Sequence, residues 1–250
     1  MNPLYYDMIF KRKSFHLFRG LEAKLSAEEL SGIEEACRTF EPLCPGIRTA
    51  FRIVPAEKVN FKRDAEYCVM IYSEKKDNYL MNAGYLGEQL DLYLTAHDIG
   101  SLWFGIGKPD ESEFDGLSYV IMIAIHKVDD PAKFRRDMYK SKRKAVSEIW
   151  QGEDPGVADV SRFAPSAVNS QPWRVINENG ILSVYRFRKS GRVGLMPASS
   201  VAYFNRIDIG IYLCILEICL EHGGIGFERA LFTDDGDSRE MTLSAKYTLK

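Results

Sequence analysis

The 250-residue sequence has few cysteines and histidines, almost no net charge and no long apolar run. A formal net charge of -2 gives no reason to expect nucleic acid or an anionic membrane as a partner. The longest apolar run, residues 209–220, contains Glu217 and is shorter than the roughly 20 residues that span a bilayer. We therefore expect a core helix there and no membrane segment.

Cysteine and histidine are too scattered to suggest a metal centre. There is no Cys-x-x-Cys pair and no Cys/His ligand spacing, so we expect reduced, largely buried thiols and no zinc site. The residues concerned are Cys37, Cys44, Cys68, Cys214, Cys219, His16, His97, His126 and His222. The first residues include neither a basic leader with an apolar segment nor a small-residue cleavage site, which predicts a cytoplasmic protein.

The most informative stretch, residues 162–176, places turn formers, small polar residues and an aromatic between two regular elements. Pro165 cannot continue the helix predicted for residues 157–164, and Pro172 restricts the residue before it to extended geometry. Ser166 and Asn169 can present a hydroxyl and an amide to a bound molecule. An ordinary helix-to-strand connection would have the same features, so the residue types alone leave both interpretations open.

This stretch resembles the signature of the nitroreductase family of FMN-dependent oxidoreductases. The matching residues are Pro165, Ser166, Ala167, Asn169, Ser170, Gln171, Pro172 and Trp173. In that family the loop lies against the flavin ring. The resemblance therefore implies that Pro165, Ser166, Ala167 and Asn169 contact the cofactor. We call residues 165–170 the ring loop.

Hydrophobic periodicity predicts the elements around this loop. Helices are predicted at residues 4–10, 26–40, 82–98, 157–164 and 203–221, and strands at 51–54, 66–73, 102–104, 117–126, 173–176, 181–187, 227–233 and 240–248. Ser26 and Glu29 form a capping-box pattern, and Gly100 is predicted to end its helix as a left-handed cap. His97 is expected to pack in its helix and not to bind a ligand.

Two basic stretches have two possible explanations. Residues 11–16 include Arg12, Lys13, Ser14 and His16, and residues 133–144 are the most densely basic part of the chain. A solvated helix end and a solvated helix face are the simpler interpretations. In a chain of near-zero net charge, however, such clusters can also bind one strongly anionic group.

The resemblance to the nitroreductase family favours the second explanation, in which these basic residues bind an anion. Arg12, Lys13, Ser14 and His16 resemble the family's amino-terminal motif, which holds the phosphate and ribityl chain of FMN. Lys142 and Arg143 resemble the basic pair that reaches the phosphate from the end of the subunit. Gly105, Ile106 and Gly107 resemble the segment whose backbone amides approach the N5 edge of the flavin.

The second half of the sequence repeats the order of elements in the first. Gly87, Leu90 and Gly100 match Gly210, Leu213 and Gly223 at an offset of 123 (210-87, 213-90, 223-100), and residues 51–53 match 173–175 at an offset of 122 (173-51). Shared order and shared spacing predict an internal duplication.

Nitroreductases are typically homodimers with FMN at the interface, and a duplicated chain resembles such a dimer fused into one polypeptide. The resemblance implies an α+β fold, a nitroreductase-like α-β-α sandwich built as a pseudo-dimer. We expect residues 1–145 to form the first half and residues 146–250 the second half of one compact unit, compatible with a monomer. Residues 42–47 replace the Ser/Asn-bearing loop in the first half, so one FMN per chain is expected.

The implied activity is electron transfer from NAD(P)H through FMN to a nitroaromatic, a quinone or a similar small-molecule acceptor. No catalytic side chain is expected, because the cofactor carries the hydride and the electrons. No Gly-x-Gly-x-x-Gly follows a strand, which leaves NADH or NADPH open. Two alternatives remain: a flavin-binding or flavin-sequestering protein without turnover, and a scaffold that has lost FMN.

Overall fold

The computed structural model describes residues 1–60, 63–188, 191, 193–194, 196–234 and 240–250. Its helices are α1 Tyr5–Lys11, α2 Ala27–Thr39, α3 Tyr79–Ala96, α4 Val146–Ile149, α5 Ala158–Ser161 and α6 Ala198–His222. The strands are β1 Thr49–Pro55, β2 Tyr67–Ser73, β3 Ile99–Phe104, β4 Glu113–Phe114, β5 Leu117–Lys127, β6 Trp150–Gln151, β7 Trp173–Glu178, β8 Ile181–Phe187, β9 Phe227–Leu231 and β10 Met241–Leu249. The helices and strands predicted from apolar periodicity are found, most with bounds shifted by a few residues.

Two sheets with the same connectivity form the β part of the fold. The first has the order β1-β2-β5-β3, with β4 paired to β5, and the second has the order β6-β7-β8-β10-β9. Apart from the parallel β6/β7 pair, the recorded pairs are antiparallel. In each sheet a long helix follows the second of the four shared strands, which is the repeat that the sequence predicts. The α+β fold class is confirmed, and the division at residues 145/146 stays a prediction.

The long helices α3 and α6 pack against each other at the centre. Both are apolar on nearly every side, as expected of helices enclosed by other elements. A Cβ on Gly84 would overlap the carbonyl of Ile207, and one on Gly210 would overlap the carbonyl of Met81. Because the numbers rise on one helix as they fall on the other, α3 and α6 cross antiparallel, and these glycines permit the close approach.

The first sheet is buried on both faces, since neighbouring strand residues point to opposite sides. Ile71 and Ile123 face the main core, while Met70 and Met122 belong to a second apolar cluster that includes Phe15. The segment after α1 supplies that outer cover. The backbone N–H of Phe15 donates to the Ser101 carbonyl in β3 at 2.9 Å, which holds residues 12–15 beside this strand.

Two local predictions were wrong. Gly100 is not a cap but the second residue of β3; Asp98, with φ of 55°, makes the left-handed turn instead. Residues 133–144 form no α-helix. Short 3-10 turns lie at Pro131–Lys133 and Met138–Lys140 instead. They form because the carboxylates of Asp130 and Asp137 each accept the backbone N–H two residues ahead.

Other predictions are met in detail. The capping box is present: the Ser26 hydroxyl accepts the Glu29 N–H at 3.1 Å, and the Glu29 carboxylate accepts the Ser26 N–H at 2.9 Å. His97 is exposed just after the last residue of α3, and its ring lies against Tyr93 at an interplanar angle of 30°, with ring centroids 4.1 Å apart. All five cysteines are free thiols.

The described residues contain neither a membrane-spanning helix nor a cluster of metal ligands. No helix in these ranges has the length and apolar character needed to cross a membrane. In the same ranges, no three His, Cys, Asp or Glu side chains come together as a metal site would require.

Candidate functional site

The ring loop has a strained backbone. Val168, Asn169 and Gln171 have φ values of 47°, 56° and 48°, so the extended geometry predicted for Gln171, the residue before Pro172, was wrong. Left-handed geometry is costly for a β-branched residue, and Val168 is also 49% exposed, so core packing does not explain it. The Ser166 hydroxyl accepts the Gln171 N–H at 3.0 Å and closes the loop on itself.

A buried acid on α6, Asp208, binds the ring loop through two hydrogen bonds. Asp208 is 2% exposed; its Oδ1 accepts the Ala167 N–H at 2.9 Å, and its Oδ2 accepts the Ser170 hydroxyl at 3.2 Å. Burial raises the pKa of Asp208 to about 7, although both hydrogen bonds oppose this rise. The sequence analysis missed Asp208, and the one signal was a lone acid between isoleucines in a core helix.

The basic segment of residues 142–144 lies directly against the ring loop. Arg143 Nη1 donates to Asn169 Oδ1 at 2.9 Å, and Asn169 Nδ2 donates to the Lys142 carbonyl at 2.9 Å. The Lys144 ammonium donates to the Ser170 carbonyl at 3.1 Å. Two motifs predicted to come from opposite halves of the chain are therefore in contact, although the Lys142 side chain itself is exposed.

Arg143 retains capacity to bind an anion. Its Nε is buried and has no hydrogen-bond partner among the described residues. Burial, reinforced by the nearby charges of Arg12, Arg135 and Arg162, lowers the pKa of Arg143 to about 10. Burial and Arg12 likewise lower the pKa of Arg135 to about 10. A buried donor amid guanidinium groups fits a phosphate, since an anion would satisfy the donor and relieve the repulsion.

Arg12 and Ser14 are together, but Arg12 is already in an ion pair. Arg12 Nε donates to Asp91 Oδ2 at 2.6 Å, and its Nη2 donates to the Ser14 hydroxyl at 3.1 Å. Asp91, fully buried on α3, also accepts hydrogen bonds from Ser101 and from the Trp103 indole. The carboxylate balances the Arg12 charge, so the cationic groups left for a phosphate are those around Arg143.

Lys13 and His16 contact other parts of the chain. The Lys13 ammonium donates to the Lys133 carbonyl at 2.8 Å and lies 5.2 Å from the centroid of the Phe15 ring. His16 is exposed, and its carbonyl accepts from Arg63 at 3.1 Å. Their flavin contacts stay predictions.

The glycine-flanked segment reaches the same helix as the ring loop. Gly105 follows β3, and a Cβ there would overlap the ring of Phe204 on α6. Phe204 lies one turn before Asp208, the residue that holds the ring loop, so Gly105 and Ala167 approach adjacent turns of one helix. Ile106 is 76% exposed, and Gly107 packs against Met122.

In the first half, residues 42–47 correspond to the ring loop, and a separate cavity lies between α3 and α6. Residues 42–47 are held there by a Cys44 N–H to Asn82 Oδ1 hydrogen bond of 2.9 Å, as Ala167 is held by Asp208. A cavity of about 290 Å³ between the starts of α3 and α6 is lined in part by Arg206 and Asp234. Buried Arg186 donates twice to Asp234, at 2.5 and 2.7 Å, so an internal ion pair borders this cavity.

These features, a duplicated α+β core with a basic segment against a strained loop, define a protein of the nitroreductase type. Residues 5–219 match the model of the family described as "Putative TM nitroreductase". The chain belongs to this family. None of the curated proteins matches the sequence.

The chain is similar to several solved structures. A Thermotoga maritima protein, described as a "putative nitroreductase", is 17% identical with a TM-score of 0.61, covering 98% of this chain and 93% of its own. An FMN-dependent nitroreductase from Clostridium difficile R20291 is 17% identical with a TM-score of 0.40, covering 57% of this chain and 92% of its own. An iodotyrosine deiodinase bound to FMN and 3-iodo-L-tyrosine is 16% identical with a TM-score of 0.37, covering 51% of this chain and 91% of its own.

Proposed function

We propose that this protein is an FMN-dependent oxidoreductase that takes electrons from NAD(P)H and passes them to a nitroaromatic, a quinone or a similar acceptor. The observation that carries this proposal is the contact between Arg143 and Asn169, which joins the basic segment to the ring loop. Residues 1–145 and 146–250 would then supply different parts of one composite site, with one FMN per chain and no second subunit required.

Arg143 is the principal phosphate ligand in this proposal. Its free Nε can donate to a phosphate oxygen, and Arg135 and Arg162 add positive charge nearby. A phosphomonoester carries about two negative charges near neutral pH, so charge-assisted bonds to guanidinium are strong. Arg12, balanced by Asp91, orients Ser14, whose hydroxyl is a neutral donor for the phosphate or the ribityl chain.

The ring is assigned to the ring loop and to the segment after β3. The left-handed conformation of Val168 and Asn169, held by Asp208, gives this loop a fixed surface for a planar group. The backbone N–H groups of Gly105 and Ile106 are assigned to orient the ring edge, whereas the Gly107 N–H donates to the Phe104 carbonyl at 3.3 Å. Bound FMN supplies the hydride and electron chemistry, and the protein binds, orients and shields it.

The exposed apolar side chains of the two ring-binding segments favour an aromatic acceptor. Ile106 is 76% exposed and Val168 is 49% exposed, each in a segment assigned to the flavin. Exposed apolar side chains beside a proposed cofactor site are suited to an apolar or aromatic molecule, which gains by leaving water. This supports nitroaromatics and quinones over charged, strongly hydrated acceptors.

The first experiment is a visible absorbance spectrum of the purified protein with FMN, and then with NADH or NADPH without oxygen. We expect flavin bands that bleach with one of the two nucleotides. Persistent bands would identify a flavin-sequestering protein, and the absence of binding would overturn the proposal.

An Asn169→Ala variant tests the site itself. Loss of the amide removes bonds to Arg143 and to the Lys142 carbonyl, so we expect weaker FMN binding. Asn179→Ala is the matched control, because Asn179 is also exposed and left-handed but lies in the β7–β8 turn. Wild-type affinity in the Asn169 variant would sink the assignment.

A further inference from the structure

Asp208 is a buried acid whose recorded hydrogen bonds all go to the ring loop. Its carboxylate accepts the Ala167 N–H and the Ser170 hydroxyl, and the side chain is 2% exposed. No ion pair joins it to a cation in the part of the chain that the structure describes. Burial of a carboxylate is costly unless donors compensate, so the loop and the carboxylate depend on each other.

Of the groups at the contact between α6 and the ring loop, Asp208 is the one whose protonation state changes with pH. On its own helix, Tyr212 lies one turn on, reaches the Ser161 hydroxyl at 3.4 Å and stays neutral because burial raises its pKa. Asn205, one turn before, cannot titrate. From the basic segment, Arg143 and Lys144 bond to the loop, and Arg143, with a pKa of about 10, remains charged at neutral pH.

Protonation of Asp208 would weaken the contact with the loop. The ionised carboxylate has two acceptor oxygens for two donors, and bonds to a charged acceptor are about twice as strong as neutral ones. A protonated carboxyl has one neutral acceptor oxygen and one hydroxyl. The strained conformations of Val168 and Asn169 persist only while the surroundings hold them.

We propose that Asp208 is a positioning residue whose ionised form holds the ring loop in the conformation that binds flavin, so that flavin affinity rises with pH as Asp208 ionises. This inference rests on the proposed function of the site. By linkage, bound flavin must also favour the ionised form and lower the Asp208 pKa. Each unit of that lowering makes binding about tenfold tighter at high pH than at low pH.

The test compares the affinity of riboflavin for wild type and Asp208→Asn between about pH 5.5 and about pH 8.5. Riboflavin is the probe because it lacks the phosphate, which titrates near pH 6 and would add its own pH dependence to FMN. For wild type we expect about tenfold tighter binding at the upper end. For Asp208→Asn, which keeps the size but cannot ionise, we expect a flat profile near the low-pH affinity of wild type.

The Ser170→Ala variant separates titration of Asp208 from a purely structural role, because a purely structural role would not shift the midpoint of the pH profile. The Ser170 hydroxyl bond lowers the Asp208 pKa, so its removal should shift the midpoint of the wild-type profile to higher pH. Parallel profiles for wild type and Asp208→Asn would overturn the inference while leaving the flavin site intact. Failure of wild type to bind any flavin at any pH would instead overturn the proposed function.

Discussion

Replacement of Arg143 by alanine should weaken the binding of FMN far more than that of riboflavin. Arg143 has a buried Nε without a partner among the described residues, and burial, reinforced by repulsion from neighbouring guanidinium groups, lowers its pKa to about 10. A phosphate would accept from this donor. Hydrogen bonds to charged groups contribute about 1.5–3 kcal/mol, which corresponds to roughly a 10- to 150-fold change in Kd.

The comparison of two flavins separates the phosphate contact from damage to the loop. Arg143→Ala also removes the bond to Asn169, which should weaken both ligands alike. The ratio of the two losses therefore isolates the phosphate, as in a double-mutant cycle. Arg136→Ala is the matched control, because Arg136 is exposed and its loss changes the net charge equally.

Fluorescence titration of FMN and riboflavin against wild type and one variant gives the four dissociation constants of each comparison. Equal losses for FMN and riboflavin in Arg143→Ala would refute the phosphate assignment. An equally selective loss in Arg136→Ala would show a general effect of charge and would refute the role of the buried donor.

Three further predictions concern stability, each read from urea unfolding. Arg12→Ala leaves Asp91 buried without its cation and should cost about 3–5 kcal/mol; a loss below about 1 kcal/mol would contradict the buried ion pair. Gly210→Ala forces α3 and α6 apart and should cost about 1–3 kcal/mol, whereas Gly46→Ala, which meets open space, should change stability by less than about 0.5 kcal/mol; equal effects would contradict the close crossing. Asp208 has a raised pKa, so the folded protein retains a proton that the unfolded chain has lost. Stability should therefore fall as pH rises from about 4 to about 7, by up to about 4 kcal/mol relative to Asp208→Asn, and a constant difference would refute the shift.

The sequence was sufficient for the elements and for the contact between the two motifs at the site. Apolar periodicity placed the long helices and most strands, and Pro165 and Pro172 indicated the helix-to-strand connection that contains Asn169. The flavin contacts of this loop stay predictions. The contact of Arg143 with Asn169 agrees with the composite site that the family resemblance implied. These successes depend on local pattern or on a shared motif.

Long-range partners could not be read in the same way. Asp91 and Asp208 are acids among the apolar residues of core helices, and whether such a residue meets a cation or a loop depends on which elements pack against it. Gly100 resembled a cap because a glycine after a helix usually is one. The tight turn at Asp98 instead starts β3 at once, and the missing side chain at Gly100 makes room for Phe15.

The crossing of α3 and α6 has a consequence for how this architecture can vary. In a symmetric homodimer, a residue on the two-fold axis meets its own copy, so any change there occurs twice. At the offset of 123, the counterpart of Gly84 is Ile207, and these two residues meet at the crossing (207-84). A small residue on one helix accommodates a large one on the other, a pairing that two identical chains cannot make. Fusion therefore allows each half to mutate separately, so that a change in one half, such as the Arg186–Asp234 ion pair of the second half, need not be repeated in the other.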